Sequence, residues 1–172
     1  ALPISLTIEK GTPLARSIAQ KKLPLPDQEV QADMFRGIIR TLSAHGYRHY
    51  EISNFAKHGY ESRHNQAYWT GKEYIGFGAG AHSYMDGVRY ANTKDVAGYL
   101  THNRKKKFRI LTAEERSWEH IVLGLRMLKG IAVTNGAIPR KALLKKIEPL
   151  IDQGLLEYRD GQLKLTDTGV FF

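Results

Sequence analysis

The chain has 172 residues, of which 42% are hydrophobic, so it can hold one or two compact domains and general disorder is excluded. It has no cysteine, which excludes disulfides, thiolate zinc sites and thiolate-ligated iron–sulfur clusters within this sequence. The formal net charge of +9 is densest at Arg104-Lys105-Lys106-Lys107-Phe108-Arg109, a run that reads as a solvated face or as a contact for an anion, nucleic acid, an acidic partner or a membrane surface.

Taken in chain order, Ser5-Leu6-Thr7-Ile8 is expected to be a strand that leaves through the turn-rich Glu9-Lys10-Gly11-Thr12-Pro13. Lys21 to Pro26 is expected to be extended, because each proline biases its predecessor away from helix. Asp27 caps a helix whose apolar stripe is Val30, Met34, Ile38, Ile39 and Leu42, with Gly46 as terminator. Tyr47 to Ile52 alternates like a strand, and strand–helix–strand order predicts a β/α unit. Residues 53–74 have weak periodicity and read as a long functional loop. Tyr74 to Ala81 reads as a buried strand, Asp86-Gly87 as a turn, and Asp95 to Asn103 as a short helix. Thr112 with Glu115 forms a capping box for a helix with the stripe Trp118, Ile121, Val122, Leu125 and Leu128, ended by Gly130. A further helix carries Leu143, Leu144, Ile147, Leu150 and Ile151; Pro149 is expected to break or kink it, and Gly154 to end it. Two strands around Asp160-Gly161 then form a hairpin. Two helices followed by a hairpin is a winged-helix-like pattern. No apolar run approaches the roughly 20 residues that cross a bilayer, and Ala1-Leu2-Pro3-Ile4 has no basic signal-peptide segment. The missing initiator Met and the apolar end Val170-Phe171-Phe172 predict a piece of a longer protein.

The densest chemistry lies between residues 63 and 83. His64 is either a hydrogen-bonded structural histidine or an iron ligand, since neutral imidazole binds iron well. Tyr68 and Trp69 can wall a flat ligand or serve as core aromatics. Arg63 can pair with a carboxylate. The segment Gly76-Phe77-Gly78-Ala79-Gly80-Ala81 fits a dinucleotide fingerprint only loosely. The residues after it run into a turn rather than opening a helix, so its glycines, Gly78 and Gly80 among them, are read either as admitting a ligand or a neighbouring backbone or as meeting a packing need. Glu51, at the end of its strand, can bind hydroxyls or an amino group or simply face water. His45 and His49 are separated by Gly46, which argues against a metal pair.

Tyr50 to Lys57, Gly59 to Asn65 with Tyr68-Trp69, and Tyr74 to Ser83 together resemble the radical SAM family of oxygen-independent coproporphyrinogen III oxidases and their heme-chaperone relatives. Leu6 to Glu9 with Gly11 to Leu14 resembles a later barrel strand of that family. Gln153 to Leu156 and Leu165-Thr166 with Gly169 resemble its C-terminal domain. His58 stands where relatives carry a proline. The resemblance implies an α/β fold: residues 1–92 as the last strands of a partial radical SAM β/α barrel, and residues 93–172 as an α+β, winged-helix-like, HemN-type C-terminal domain. His64 matches the histidine of the family's HNxxYW pattern and would ligate heme iron, with Asn65, Tyr68 and Trp69 in the same pattern. Gly78 and Gly80 would lie along the S-adenosylmethionine or porphyrin side. The family's CxxxCxxC motif is absent, so the 4Fe–4S cluster and S-adenosylmethionine would belong to the longer parent.

The function so implied is heme binding and transfer to acceptor hemoproteins, including respiratory-chain ones, in the cytoplasm, with the lysine-rich run near an acidic partner or membrane. The rival readings are oxidative decarboxylation of coproporphyrinogen III and, remotely, nucleic-acid binding through the winged-helix-like part.

Overall fold

A computed structural model describes residues 8–101, 105–133 and 137–171, with residues 105–109 described by backbone alone. The chain divides into two compact units, Ala1–Glu61 with Phe171, and Ser62–Val170 with Phe172.

The first unit holds α1 (Pro13–Ala19), α2 (Gln28–Ala44), β1 (Arg48–Glu51) and β2 (Asn54–Ala56). The Thr12 hydroxyl caps α1 by accepting from the Ala15 N–H at 3.2 Å, and Pro13 takes the first helical position, where no N–H is needed. Asp27 caps α2 through the Val30 N–H at 2.8 Å. The left-handed backbone at Gly46 releases the chain into β1. β1 and β2 pair antiparallel, with His49 opposite Phe55 and an irregularity before Glu51. Phe55 is buried between the stacked His49 ring, 4.4 Å away, and the edge of Phe35. Burial pushes the His49 imidazole below its ordinary pKa, against the smaller opposing effects of the Ile52 carbonyl and the Glu51 charge.

The second unit begins with α3 (Arg63–Trp69). An antiparallel sheet β3-β4-β5 follows, built from His82–Met85, Val88–Asn92 and Lys105–Ile110, with α4 (Val96–Leu100) between the last two. Asp86 and Gly87, both left-handed, make the β3–β4 turn. Then come α5 (Ala113–Gly124), β6 (Ile131–Ala132), α6 (Arg140–Asp152) and the hairpin β7 (Leu156–Arg159) and β8 (Gln162–Leu165). The sheet order is β6-β8-β7, so the strand between the two helices joins the edge of the final hairpin. That is the winged-helix-like arrangement. Its core gathers around Leu163, which is 0% exposed, with Ile121, Ile138, Leu143, Ile147 and Leu156.

Several expectations are corrected. Residues 53–74 are not one loop: they contain β2 and α3, and α3 is too short for its periodicity to show. Tyr74 to Ala81 is not a strand. Only Tyr74 pairs, in a single bridge with Tyr84, and the left-handed Gly78 and Gly80 turn the chain away. The basic run contributes Lys105 to Arg109 to β5, paired with β4, rather than a linker. α5 stops at Gly124, not Gly130, because Leu125–Gly130 fold back to bury Met127 and bring Ile131 onto Gly124. α6 runs through Pro149 to Asp152 without breaking. In α2, Val30, Met34 and Ile38 are exposed, and Phe35 makes the packing contacts instead. α1 and β6 were not expected. Residues 5–7 of the expected first strand, residues 102–103 of the expected helix and Arg104 lie outside the described residues.

Leu163→Ala is expected to lower the unfolding free energy by about 2–5 kcal/mol, read as a drop in denaturant midpoint; a loss below about 1 kcal/mol would show that this core is not centred there. His49 is depressed in the folded state, so its contribution to stability is complete above its ordinary value of about 6.5 and is lost as pH falls towards the folded value. Unfolding midpoints of the native chain and of His49→Phe, compared from neutral to mildly acidic pH, should show a smaller acid loss in the variant; equal losses would remove His49 as the cause.

Candidate functional site

The site is built on α3. The Ser62 hydroxyl caps the helix by accepting from the Asn65 N–H at 3.2 Å. His64 and Tyr68 are four residues apart and so share one face. Their rings meet edge-on, with centroids 4.8 Å apart and planes at 89°. His64 is exposed, and its imidazole makes no hydrogen bond among the described residues. Arg63 is also exposed, in the first turn, where positive charge opposes the helix dipole; helix stability does not account for it.

Tyr68 is held from the other side by Tyr74, whose ring centroid is 4.4 Å away, and Tyr74 leans towards Tyr84 at 6.5 Å. Burial raises the pKa of the Tyr74 phenol, against the pull of Arg89. The Arg89 guanidinium lies over the Tyr84 ring at 5.2 Å and pairs with Glu119 at 2.5 Å. On the neighbouring face of α3, Trp69 receives the Arg126 guanidinium 4.3 Å from its centroid. The Trp69 Nε1 donor is buried without a hydrogen-bond partner.

Gly78 and Gly80 lie in a loop, not a strand, and this loop is clamped. The Gly76 N–H donates to the Ser83 hydroxyl at 2.9 Å, and the Gly78 N–H to the Tyr99 hydroxyl at 3.0 Å. Asn92 Nδ2 donates to the Gly76 and Gly78 carbonyls at 3.2 and 2.8 Å. Gly76 is required because a Cβ there would strike the His82 carbonyl. Gly78 is required by its φ of +101°, with open space on its Cβ side. Backbone thus approaches closely at Gly76, whereas Gly78 has no neighbour within 4 Å of a Cβ and Gly80 meets only the Lys94 side chain. Phe77 is carried outward and is 85% exposed.

Glu51 belongs to the first unit. It is fully buried; Asn54 Nδ2 donates to its Oε1, and its Oε2 has no partner. Among the described residues no group of three His, Asp or Glu gathers to hold a bare metal ion. What α3 offers, among the described residues, is the exposed imidazole of His64 beside the Tyr68 ring. A lone imidazole would not cage a bare metal ion, but it would suffice to hold an iron already carried in a porphyrin. Sequence reasoning missed Arg126, Tyr99, Ser83 and Asn92. Their roles depend on tertiary contacts, and no local signal marks them.

Residues 111–172 match the family described as HemN C-terminal domain. The chain is 36% identical over 175 residues to a protein named heme chaperone HemW from Bacillus subtilis, covering 96% of this chain and 46% of that protein. It is 38% identical to a heme chaperone HemW from Lactococcus lactis, with the same coverage. It is 37% identical over 139 residues to the Danio rerio mitochondrial radical S-adenosyl methionine domain-containing protein 1, covering 73% of this chain and 31% of that one. Among solved structures it superposes on Escherichia coli coproporphyrinogen III oxidase (HemN), described as a radical SAM enzyme. The TM-score is 0.62 at 18% identity, over 90% of this chain and 42% of that chain. The fold is therefore that of the C-terminal region of a HemN-like protein, and the chain spans just under half the length of the HemW proteins it matches. Residues 111–172 thus belong to the HemN C-terminal domain family, and the chain as a whole is similar to the proteins named heme chaperone HemW.

Proposed function

We propose that the protein to which this chain belongs is a heme chaperone, and that His64 is the residue whose imidazole would hold the heme iron. The carrying observation is the exposed, unengaged imidazole of His64 fixed edge-on against Tyr68, in a sequence related over 96% of its length to proteins named for that role. A bound heme would supply the iron and the cargo. The chain's own residues would do the rest. Tyr68 sets the imidazole's orientation, Trp69 and Tyr68 give flat apolar surface, and Arg63 is placed to meet a propionate. Asn65 secures the start of α3 through its backbone. The clamped loop at Gly78 and Gly80 gives a fixed backbone wall with open space beside it. Glu51, buried with one oxygen unpartnered, has an acceptor available for a donor group of the complete protein.

In this reading residues 1–92 are the last part of a partial radical SAM β/α barrel and residues 93–172 form the C-terminal domain. The 4Fe–4S cluster and S-adenosylmethionine are assigned to the parent protein, because this chain has no cysteine. Acceptor hemoproteins, respiratory-chain ones among them, are the partners, met in the cytoplasm or at an acidic membrane surface through the basic run. Among the described residues no helix is long and apolar enough to cross a membrane. The competing reading, oxidative decarboxylation of coproporphyrinogen III, draws on the HemN likeness. Anaerobic turnover of the complete protein separates the two: protoporphyrinogen formation favours the oxidase.

His64→Ala is expected to weaken heme binding at least about tenfold and to shift the Soret band, while Tyr68→Phe, which keeps the ring, stays near the native values. Heme titration followed by absorbance reads both. An unchanged spectrum and affinity in His64→Ala would overturn the assignment.

A further inference from the structure

A cavity of about 330 Å³ lies in the winged-helix-like part, and neither His64 nor Tyr68 lines it. Its walls are apolar, formed by Ile121, Val133, Ile138 and Leu143 from α5, the end of β6 and the start of α6. Arg116 and His120 line the same cavity from α5, where their four-residue spacing puts them on one face. Both are exposed, and neither has an ion-pair partner among the described residues. Arg116 is nevertheless held in place: its Nη1 donates to the Leu111 carbonyl at 2.7 Å, which leaves its other N–H groups for a ligand. By contrast Arg89 is engaged by Glu119, and Arg126 lies over Trp69. Concave, mostly apolar sites with a few convergent polar groups are where small ligands bind, and this volume falls within their range.

We propose that this cavity binds an amphipathic carboxylate, its apolar body against Ile121, Val133, Ile138 and Leu143 and its carboxylate at Arg116 and His120. The polarity of the lining sets the class. A purely apolar ligand would leave the guanidinium unused, and a small inorganic anion would leave the apolar walls wet. A guanidinium presents paired N–H donors that match a carboxylate. Long-chain alkyl carboxylates and tetrapyrrole propionates share this chemistry. The inference does not rest on His64, and a His64→Ala chain is expected to retain the site.

Calorimetric titration of the chain with decanoate, decanol and metal-free protoporphyrin tests it. Decanoate should bind saturably. Ala132→Phe, which places a ring in the cavity from the exposed edge strand β6, should weaken that binding at least about tenfold. Arg116→Gln should weaken decanoate about five- to tenfold and leave decanol unchanged. Displacement of decanoate by protoporphyrin assigns the site to tetrapyrrole carboxylates, and failure to displace bound decanoate assigns it to alkyl ones. Amide chemical-shift mapping on the unmodified chain does not depend on any variant folding, and decanoate should move Val133, Ile138 and His120. The proposal is overturned if decanoate does not saturate, if decanol binds equally well, if Ala132→Phe folds and binds decanoate normally, or if the shifts fall elsewhere.

Discussion

Tyr68 is the contact on which the second unit's site depends. α3 has seven residues, too few to be stable alone in water. Its ring is edge-on to both His64 and Tyr74, and each such aromatic contact adds about 0.5–1.5 kcal/mol beyond burial. From Tyr74 the line of contacts continues through Tyr84 and Arg89 to Glu119 on α5. A second tie, Arg126 on Trp69, anchors the neighbouring face of the helix to the turn that follows α5. A short helix bearing an unengaged imidazole is thus positioned by two lines of contact with the sheet and with α5. The exposed histidine is positioned by its neighbours rather than by hydrogen bonds of its own.

The glycine loop follows the same logic in backbone form. Its exposed Phe77 could be taken for a sign of looseness, yet Ser83, Asn92 and Tyr99 fix the peptide groups on either side. Ser83 and Asn92 are buried polar groups, and their hydrogen bonds to this loop satisfy them. Glu51 is the opposite case: a carboxylate with one oxygen satisfied by Asn54 and the other left over, buried in the same unit as the Phe55 ring. The two buried polar clusters therefore differ in kind. One is closed; the other has an acceptor still to be used.

Much of this was legible in the sequence where the signal was local. Asp27, Thr112 with Glu115, Asp86-Gly87 and Asp160-Gly161 act through their own hydrogen bonds or dihedral preferences, and each does what its type dictates. α1 was missed because Thr12-Pro13 is as good a turn as it is a helix start. β5 was missed because lysines are poor strand formers, and pairing with β4 decides the matter. α5 was drawn too long because its apolar period continues to Leu128, although the backbone turns after Gly124 to let Ile131 approach. The motif residues His64, Tyr68 and Trp69 stand out by their clustering within six positions and by the family resemblance, not by residue type alone. The groups that hold them, Arg126 above all, are distant in sequence and could be found only in three dimensions.

α2 carries Val30, Met34 and Ile38 one helical turn apart on its surface, uncovered, with Leu23 and Leu25 exposed just before the helix. Such a row behaves as an adhesive strip in water. In this chain taken alone it favours contact between copies at high concentration, against the long-range repulsion of a +9 net charge.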